Sequence, residues 1–205
     1  MSPQITETVI QLSSHTESTV GSSENEETLA RRLLQGDVGA LEALFELHAG
    51  RLRKLARCFG LDEQSAEDAL QDTFLRAWKA HQAAPSDSAR LNSWLTSIAA
   101  NYCRAELTKR GLWRRVRRIL AGEKKQSSMA GPVETTSEMD ELNHCAKQAL
   151  QELDPDDRMI VVLAWVEDLN SPQIGKILGL NSGTVRVRLC RALQQVRRRM
   201  EELGV

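Results

Sequence analysis

The stretch NSPQIGKILGLNSGTVRVRLCRALQQVRRRM, residues Asn170 to Met200, reads as two short helices joined by a tight turn, the second crowded with arginine. Ser171 suits the N-cap of the first helix, and Pro172 suits its first helical position, where a missing N–H costs nothing. Ile174, Ile177 and Leu178 give that helix one apolar face. Gly179 then supplies the left-handed residue that ends it, Leu180 plugs the turn, and Asn181 or Ser182 caps the next helix. There Val185, Leu189, Ala192, Leu193 and Val196 recur at helical spacing as an inner stripe. The outward face carries Ser182, Thr184, Arg186, Arg188 and Arg191, with Arg197, Arg198 and Arg199 further on. Short polar groups at the N-terminal end, followed by guanidinium forks, suit base edges and phosphates in a major groove. The bland alternative is a solvated basic face, but the interleaved acids of an ordinary wet helix are missing around these arginines. The pattern predicts a helix-turn-helix that binds DNA.

Upstream, Asp154-Pro155 is a strong helix start. Leu142, Ala146, Ala149, Leu150 and Leu153, then Ile160, Val161, Leu163, Ala164 and Trp165, supply a core to support the two helices, so residues 139–205 form one small helical domain. Residues 111–138 are basic at first and then rich in Ser, Gly, Pro and Thr, the composition of a flexible linker. A further helix start stands at Ser137.

Residues 28–110 read as a second small helical domain. One helix spans about 26–35 and breaks at Gly36. Asp37 caps a longer helix in which Leu41, Leu44, Phe45, His48, Leu52, Leu55 and Phe59 share a side. After a turn at Gly60-Leu61-Asp62, a helix over 63–79 buries Ala66, Leu70, Phe74, Ala77 and Trp78. Its other side lines up Asp68, Gln71, Asp72, Leu75 and Lys79 at spacings of three and four, an acidic, amide-bearing ridge that could dock a basic protein surface. A loop over 80–89 leads to a helix over about 90–110, with a core stripe of Trp94, Leu95, Ile98, Ala99 and Tyr102. On another face lie Ser97, Asn101, Arg104 and Thr108. Polar groups backed by arginine, with Trp78, Trp94 and Tyr102 in the same lobe, suit unstacked nucleic acid.

Charge is segregated although the net charge is only −1. The first 30 residues hold Glu7, Glu17, Glu24, Glu26 and Glu27 and no lysine or arginine, and residues 1–27 are expected to be a disordered acidic extension. From Arg104 to Lys125, nine basic residues face two acidic ones, including Lys109 and Arg110, which suggests contact with a nucleic-acid backbone. Cys58, Cys103, Cys145 and Cys190 are widely spaced without a CxxC pair, which points to a reduced, cytoplasmic setting. His144 and Cys145 are adjacent, a poor geometry for a shared metal, so no metal or cofactor is expected. No apolar run is long enough to cross a bilayer and no signal peptide opens the chain. With no paired catalytic constellation and no phosphate-cradling glycine loop, an enzyme is disfavoured.

Arg31 to Lys79, with its Gln35-Gly36-Asp37 break and the run Ala66-Glu67-Asp68-Ala69-Leu70-Gln71-Asp72-Thr73-Phe74-Leu75-Arg76-Ala77-Trp78, resembles the extracytoplasmic-function sigma factors of bacterial RNA polymerase. Leu91 to Arg110 is similar to that family's promoter-melting helix, through Ser93-Trp94-Leu95 and Ile98-Ala99-Ala100-Asn101. It departs at Ala100 and Ala105, where a basic and an acidic residue are usual. Leu153-Asp154-Pro155 and Gly183-Thr184-Val185-Arg186-Val187-Arg188-Leu189 resemble the family's promoter-reading domain, with Gln173 and Gly175 where glutamate and alanine are commoner.

The resemblance implies an all-α protein of two small helical domains joined by a flexible linker, a region 2-like bundle and a region 4-like helix-turn-helix. Asp68, Gln71, Asp72 and Leu75 would bind the clamp helices of the large polymerase subunit, and the second domain its flap. Loop residues 80–90 with Asn101, Arg104, Lys109 and Arg110 would engage the melted minus-ten strand. Ser182, Thr184, Arg186, Arg188 and Arg191 would read the minus-thirty-five element. An anti-sigma protein, often membrane-anchored, is the further partner implied; no small-molecule substrate is. Two other readings compete: a helix-turn-helix regulator that binds duplex DNA without polymerase, and an adaptor that sequesters a partner through the acidic ridge.

Overall fold

A computed structural model describes residues 25–121 and 146–203, with side chains to residue 112 and from residue 146. The expected acidic extension up to residue 24, and the linker from residue 122 with Ser137, Leu142, His144 and Cys145, lie outside the described residues. Among the described residues the secondary structure is helical throughout, with no strand. The chain divides into two compact units, parting between Cys103 and Arg104.

In the first unit, Asn25 caps α1 (Glu26–Leu34) by accepting from Glu27 N–H. The chain reverses at Gly36, whose φ of +77° favours a residue without Cβ. Asp37 then caps α2 (Val38–Phe59) through Gly39 N–H, while its second oxygen accepts from Arg32. Gly60, at φ +104°, ends α2, and Asp62 caps α3 (Glu63–Lys79) by accepting from both the N–H and the hydroxyl of Ser65. α2 packs on α1 and α3. Leu33, Leu41, Leu44, Phe45, Leu52, Leu55, Phe59, Leu70 and Phe74 are almost wholly buried there, and the Phe45 and Phe74 rings meet tilted at 4.9 Å.

A 3-10 turn, His81–Ala83, leads to α4 (Ser88–Ala121), started by Asp87 accepting from Arg90 N–H. Two expectations are corrected here. α4 continues eleven residues past the expected end at Arg110, because Gly111 is its only helix-weakening residue there and no proline follows. The buried stripe also sits round to one side of the expected one. Leu91, Leu95, Thr96, Ala99, Ala100 and Cys103 are buried, whereas Trp94, Ile98 and Tyr102 are only partly covered.

A polar network bridges the helices on the same side. Arg51 of α2 donates to Thr96 Oγ1 at 3.1 Å and to Asn92 Oδ1 at 3.3 Å, and Asn92 donates to Glu26 of α1 at 3.1 Å. His48 of α2 is 4% exposed, with Nε2 3.1 Å from Glu26 Oε1. Burial, assisted by the Arg51 charge, pushes the His48 imidazole down to about 4. The folded protein therefore holds His48 neutral, and stability is full above the ordinary histidine value of about 6.5 and falls as pH drops from there toward about 4. Glu26, raised above its ordinary value chiefly by burial, acts in the opposite sense, since protonation relieves its desolvation. Going from pH 7.5 to 5 is expected to cost the His48 contribution about 2 kcal/mol. Urea melts of wild type and His48→Gln at the two pH values check this: the variant should lose most of the pH dependence, and an equal dependence in both would refute the assignment.

The second unit contains α5 (described over 146–152), α6 (Pro155–Trp165), α7 (Ser171–Leu178) and α8 (Ser182–Glu202). Asp154 caps α6 by accepting from Asp156 N–H, with Pro155 in the first turn as expected. Leu153, Val161 and Ala192 form a buried cluster ringed by Leu150, Leu189, Leu193 and Val196, which accounts for the inner stripe of α8. Arg158 donates to the carbonyls of Leu150, Gln151 and Leu153, satisfying the C-terminal end of α5.

The cap of α7 falls one residue earlier than expected. Asn170, not Ser171, accepts from Gln173 N–H at 3.0 Å, and the Gln173 side chain accepts from Asn170 N–H at 2.8 Å. This is a reciprocal capping box, so the glutamine completes it as a glutamate would. Gly179 adopts φ +65° and ends α7. A Cβ on Gly175 would lie 2.6 Å from the Leu180 carbonyl oxygen, so glycine lets the turn close onto the helix. Asn181 caps α8 through Gly183 N–H.

Candidate nucleic-acid interface

α8 sorts its cations into three groups. Arg186 and Arg191 lie on the exposed face of its N-terminal half and, among the described residues, carry no ion pair. Thr184 is exposed beside them and Ser182, in the first turn, is partly covered. Arg197, Arg198 and Arg199, by contrast, pair with Glu201 or Glu202 one turn on, and Arg199 also reaches Glu152 at 2.8 Å. The C-terminal half is thus largely neutralised, and the unbalanced positive charge sits where a recognition helix meets a major groove.

Arg188 forms the third group and leaves the reading face. Helical geometry swings it toward the buried stripe, and only 27% of its side chain is exposed. Its Nε donates to Asp157 Oδ1 at 2.5 Å, with Asp154 at 3.5 Å and Asp156 at 3.6 Å. Partial burial opposes its charge, but the hydrogen bond to Asp157 and the fields of the three carboxylates outweigh that and raise its pKa above the ordinary arginine value. Those carboxylates also crown the N-terminus of α6, where the helix dipole favours negative charge. Arg188 is a brace between α6 and α8, a role invisible in a sequence where the acids lie thirty residues away.

Sequence reasoning passed over Val187, Cys190 and Gln194, which the structure exposes in the middle of the same face. Their legible signal was spacing: residues 187, 190, 191 and 194 recur at three and four and lie opposite Val185 and Ala192.

On α4, Asn101, Arg104 and Thr108 follow one stripe as expected, with Asn101 exposed. Arg104 is the first residue of the second compact unit. Lys109 is exposed about a quarter-turn away, and Arg110 projects roughly opposite the Asn101 stripe, donating to Glu106 Oε1 at 3.0 Å. Asn101 and Arg104 thus share one stripe of α4, and Arg110 stands on the other side of the helix.

The loop before α4 is fastened at its root. His81 stacks on Trp78 with ring centroids 5.2 Å apart, and its Nδ1 lies 2.8 Å from the Trp78 carbonyl. A Cβ on Gly36 would lie 3.4 Å from its Nε2, and Ala84 is buried. Pro85, Ser86 and Asp87 are thereby presented from a fixed base, and Trp78, only partly covered, is no fully buried core residue.

The ridge on α3 is assembled as expected. Asp68 is exposed, and Gln71, Asp72 and Leu75 are partly exposed along one side, with Lys79 beyond. Asp68 accepts from Gln64 at 3.4 Å, and Asp72 pairs with Arg76. Behind the ridge, Arg53 of α2 donates to Glu67 at 2.8 Å and ties α3 to its neighbour.

Among the described residues no group of three or more His, Cys, Asp or Glu is placed to hold a metal ion, and no helix is long and apolar enough to cross a membrane. Cys58, Cys103 and Cys190 form no disulfide among the described residues, and burial pushes the Cys103 thiol up to about 12.

Comparisons with known proteins place these surfaces in a family context. Residues 44–118 match Sigma-70 region 2, and residues 143–196 match Sigma-70 region 4. The chain is 34% identical over 173 residues to the RNA polymerase sigma factor NccH of Alcaligenes xylosoxydans xylosoxydans, covering 82% of this chain and 90% of that one. It is 30% identical over 173 residues to the ECF RNA polymerase sigma factor SigL of Mycobacterium tuberculosis, covering 82% and 93%. Among solved structures it is similar to CnrH in complex with the cytosolic domain of CnrY, at TM-score 0.60 and 24% identity, covering 87% of this chain and 99% of that one. It is also similar to the sigma factor RpoE in complex with the anti-sigma factor NepR from Bartonella quintana, at TM-score 0.57 and 25% identity, covering 76% and 92%.

Proposed function

The chain belongs to the extracytoplasmic-function branch of the sigma-70 family of RNA polymerase sigma factors, and on that premise we propose that separate surfaces dock the polymerase and read the promoter. The protein binds core RNA polymerase, recognises the minus-thirty-five and minus-ten promoter elements and promotes DNA melting for initiation. The observation that best supports the division is the charge sorting on α8, which leaves Arg186 and Arg191, on its exposed N-terminal half, without an acidic partner among the described residues.

Residues 28–110 take the region 2 role and residues 139–205 the region 4 role. The α3 ridge of Asp68, Gln71, Asp72 and Leu75 docks on the clamp helices, and the second domain meets the flap. Loop residues 80–90, Asn101 and Arg104 engage the melted minus-ten strand, while Lys109 and Arg110 contribute positive charge toward the backbone. Ser182, Thr184, Arg186 and Arg191 face the minus-thirty-five element; Arg188 supports that helix from behind. None of these roles requires covalent chemistry, so the protein acts as a binding factor and not as an enzyme, in the cytoplasm with its polymerase. An anti-sigma protein holds it inactive between signals, a reading supported by the similar sigma factor RpoE, whose solved structure is a complex with the anti-sigma factor NepR.

Transcription from a promoter template by purified core polymerase, with and without the added chain, tests the reading. Initiation that depends on the chain is expected. Specific duplex binding by the chain alone, with no initiation, would overturn it in favour of a polymerase-independent regulator.

A further inference from the structure

Val187 is 51% exposed on α8, whereas Val185, two residues earlier, is fully buried. It lies between Thr184 and Arg191 at helical spacings of three and four, with Arg186 beside it. On the exposed face of residues 182–191 it is the one branched aliphatic side chain, within a patch whose two guanidinium groups have no acidic partner among the described residues. A β-branched side chain on a helix is held in essentially one rotamer, so its methyls are presented without further loss of side-chain freedom. In the major groove only thymine offers a methyl group, the natural apolar counterpart to such a side chain. Arg188 is held by the aspartates of α6, so the centre of the face falls to the valine.

We propose that Val187 is a specificity-determining residue that selects a thymine in the minus-thirty-five element by packing on its 5-methyl group. The proposal rests on α8 being the helix that reads that element. Arg186 and Arg191 anchor the helix on either side through phosphate or purine acceptors, and the valine discriminates at the base pair between them.

The test uses holoenzyme assembled from the full chain and core polymerase, with promoters selected from a pool randomised in the minus-thirty-five region. Each thymine of the selected element is then replaced singly by deoxyuridine, which removes the methyl and nothing else. Wild type should lose about fourfold in affinity at one such position, the scale of one buried methyl group. Val187→Ala should bind the thymine duplex about as weakly as wild type binds the deoxyuridine duplex, and should be indifferent to that replacement. An unchanged methyl dependence in Val187→Ala, or no methyl dependence in wild type at any position, would overturn the proposal. Arg186→Ala and Arg191→Ala, measured alongside, separate the two layers of inference. If they weaken binding while the deoxyuridine scan is flat, only the role of Val187 falls; if they too bind as wild type, the reading of α8 itself falls.

Discussion

Replacing Gln71 and Asp72 together by alanine is expected to reduce affinity for core polymerase by about a hundredfold and to abolish chain-dependent initiation. Both side chains lie on the α3 ridge, flanked by Asp68 and by the partly exposed Leu75. A partly exposed apolar residue rimmed by polar groups follows the anatomy of a protein interface, in which a few residues carry most of the binding free energy. Folding should be little affected. The Asp72 pair with Arg76 is a helix-surface contact between residues four apart, worth only about 0.3–0.5 kcal/mol, and alanine restores part of that through helix propensity. The buried side of α3, from Ala66 through Leu70 and Phe74 to Ala77, is untouched. Anisotropy titration of labelled protein with core polymerase, paired with thermal melting, separates the two effects. A variant that melts with the wild type and binds the polymerase equally well would move the docking surface off α3.

Arg188→Ala and Arg186→Ala should behave as different kinds of mutation although the residues are two apart. Removing Arg188 leaves Asp154 and Asp157 without their shared counter-charge, and the helix unit is expected to lose about 1–3 kcal/mol. The dipole of α6 and partial solvent access keep the loss below that of a fully buried pair. Removing Arg186 should cost almost nothing in stability, within about 0.5 kcal/mol, but about 1–3 kcal/mol in promoter binding. Urea denaturation and promoter binding on both variants check this. Equal stability of the two would refute the bracing role, and a promoter defect in Arg188→Ala that persists under conditions where it is fully folded would return Arg188 to the reading face.

The pairing of acids with Arg188 also bears on the neighbouring carboxylates. Asp154 caps α6 and Asp157 receives the guanidinium, so α6 is tied at one end to the helix that faces DNA. A substitution at either aspartate would therefore loosen the position of α8 as well as the start of α6.

Much of this was legible before any coordinates. Glycine at Gly36, Gly60 and Gly179, aspartate caps at Asp37, Asp62 and Asp154, and apolar residues at three and four mark helix ends and inner faces by local chemistry alone. The ridge on α3 and the outward face of Arg186 and Arg191 follow from the same periodicity, since residues on one helix keep their angular relations whatever surrounds them. The paired state of Arg197 and Arg198 could also have been read, because Glu201 and Glu202 stand one turn further along.

Tertiary structure decided what depends on partners distant in the chain. Arg188 turned inward because α6 brings three aspartates beside α8, and His81 became an anchor because the Gly36 turn lies next to its ring. His48 lost its basicity because the first unit buries it, with the Arg51 charge adding to the effect. The buried stripe of α4 turned away from Trp94 and Tyr102 because Leu91, Leu95, Ala99, Ala100 and Cys103 pack inward, a side on which Arg51 also finds Thr96 and Asn92. Sequence determined which residues share a face on each helix, because that is a matter of local geometry. Only packing determined which charged groups were neutralised by acids on another helix, as Arg188 is, because ion pairing between helices depends on distances that periodicity does not contain.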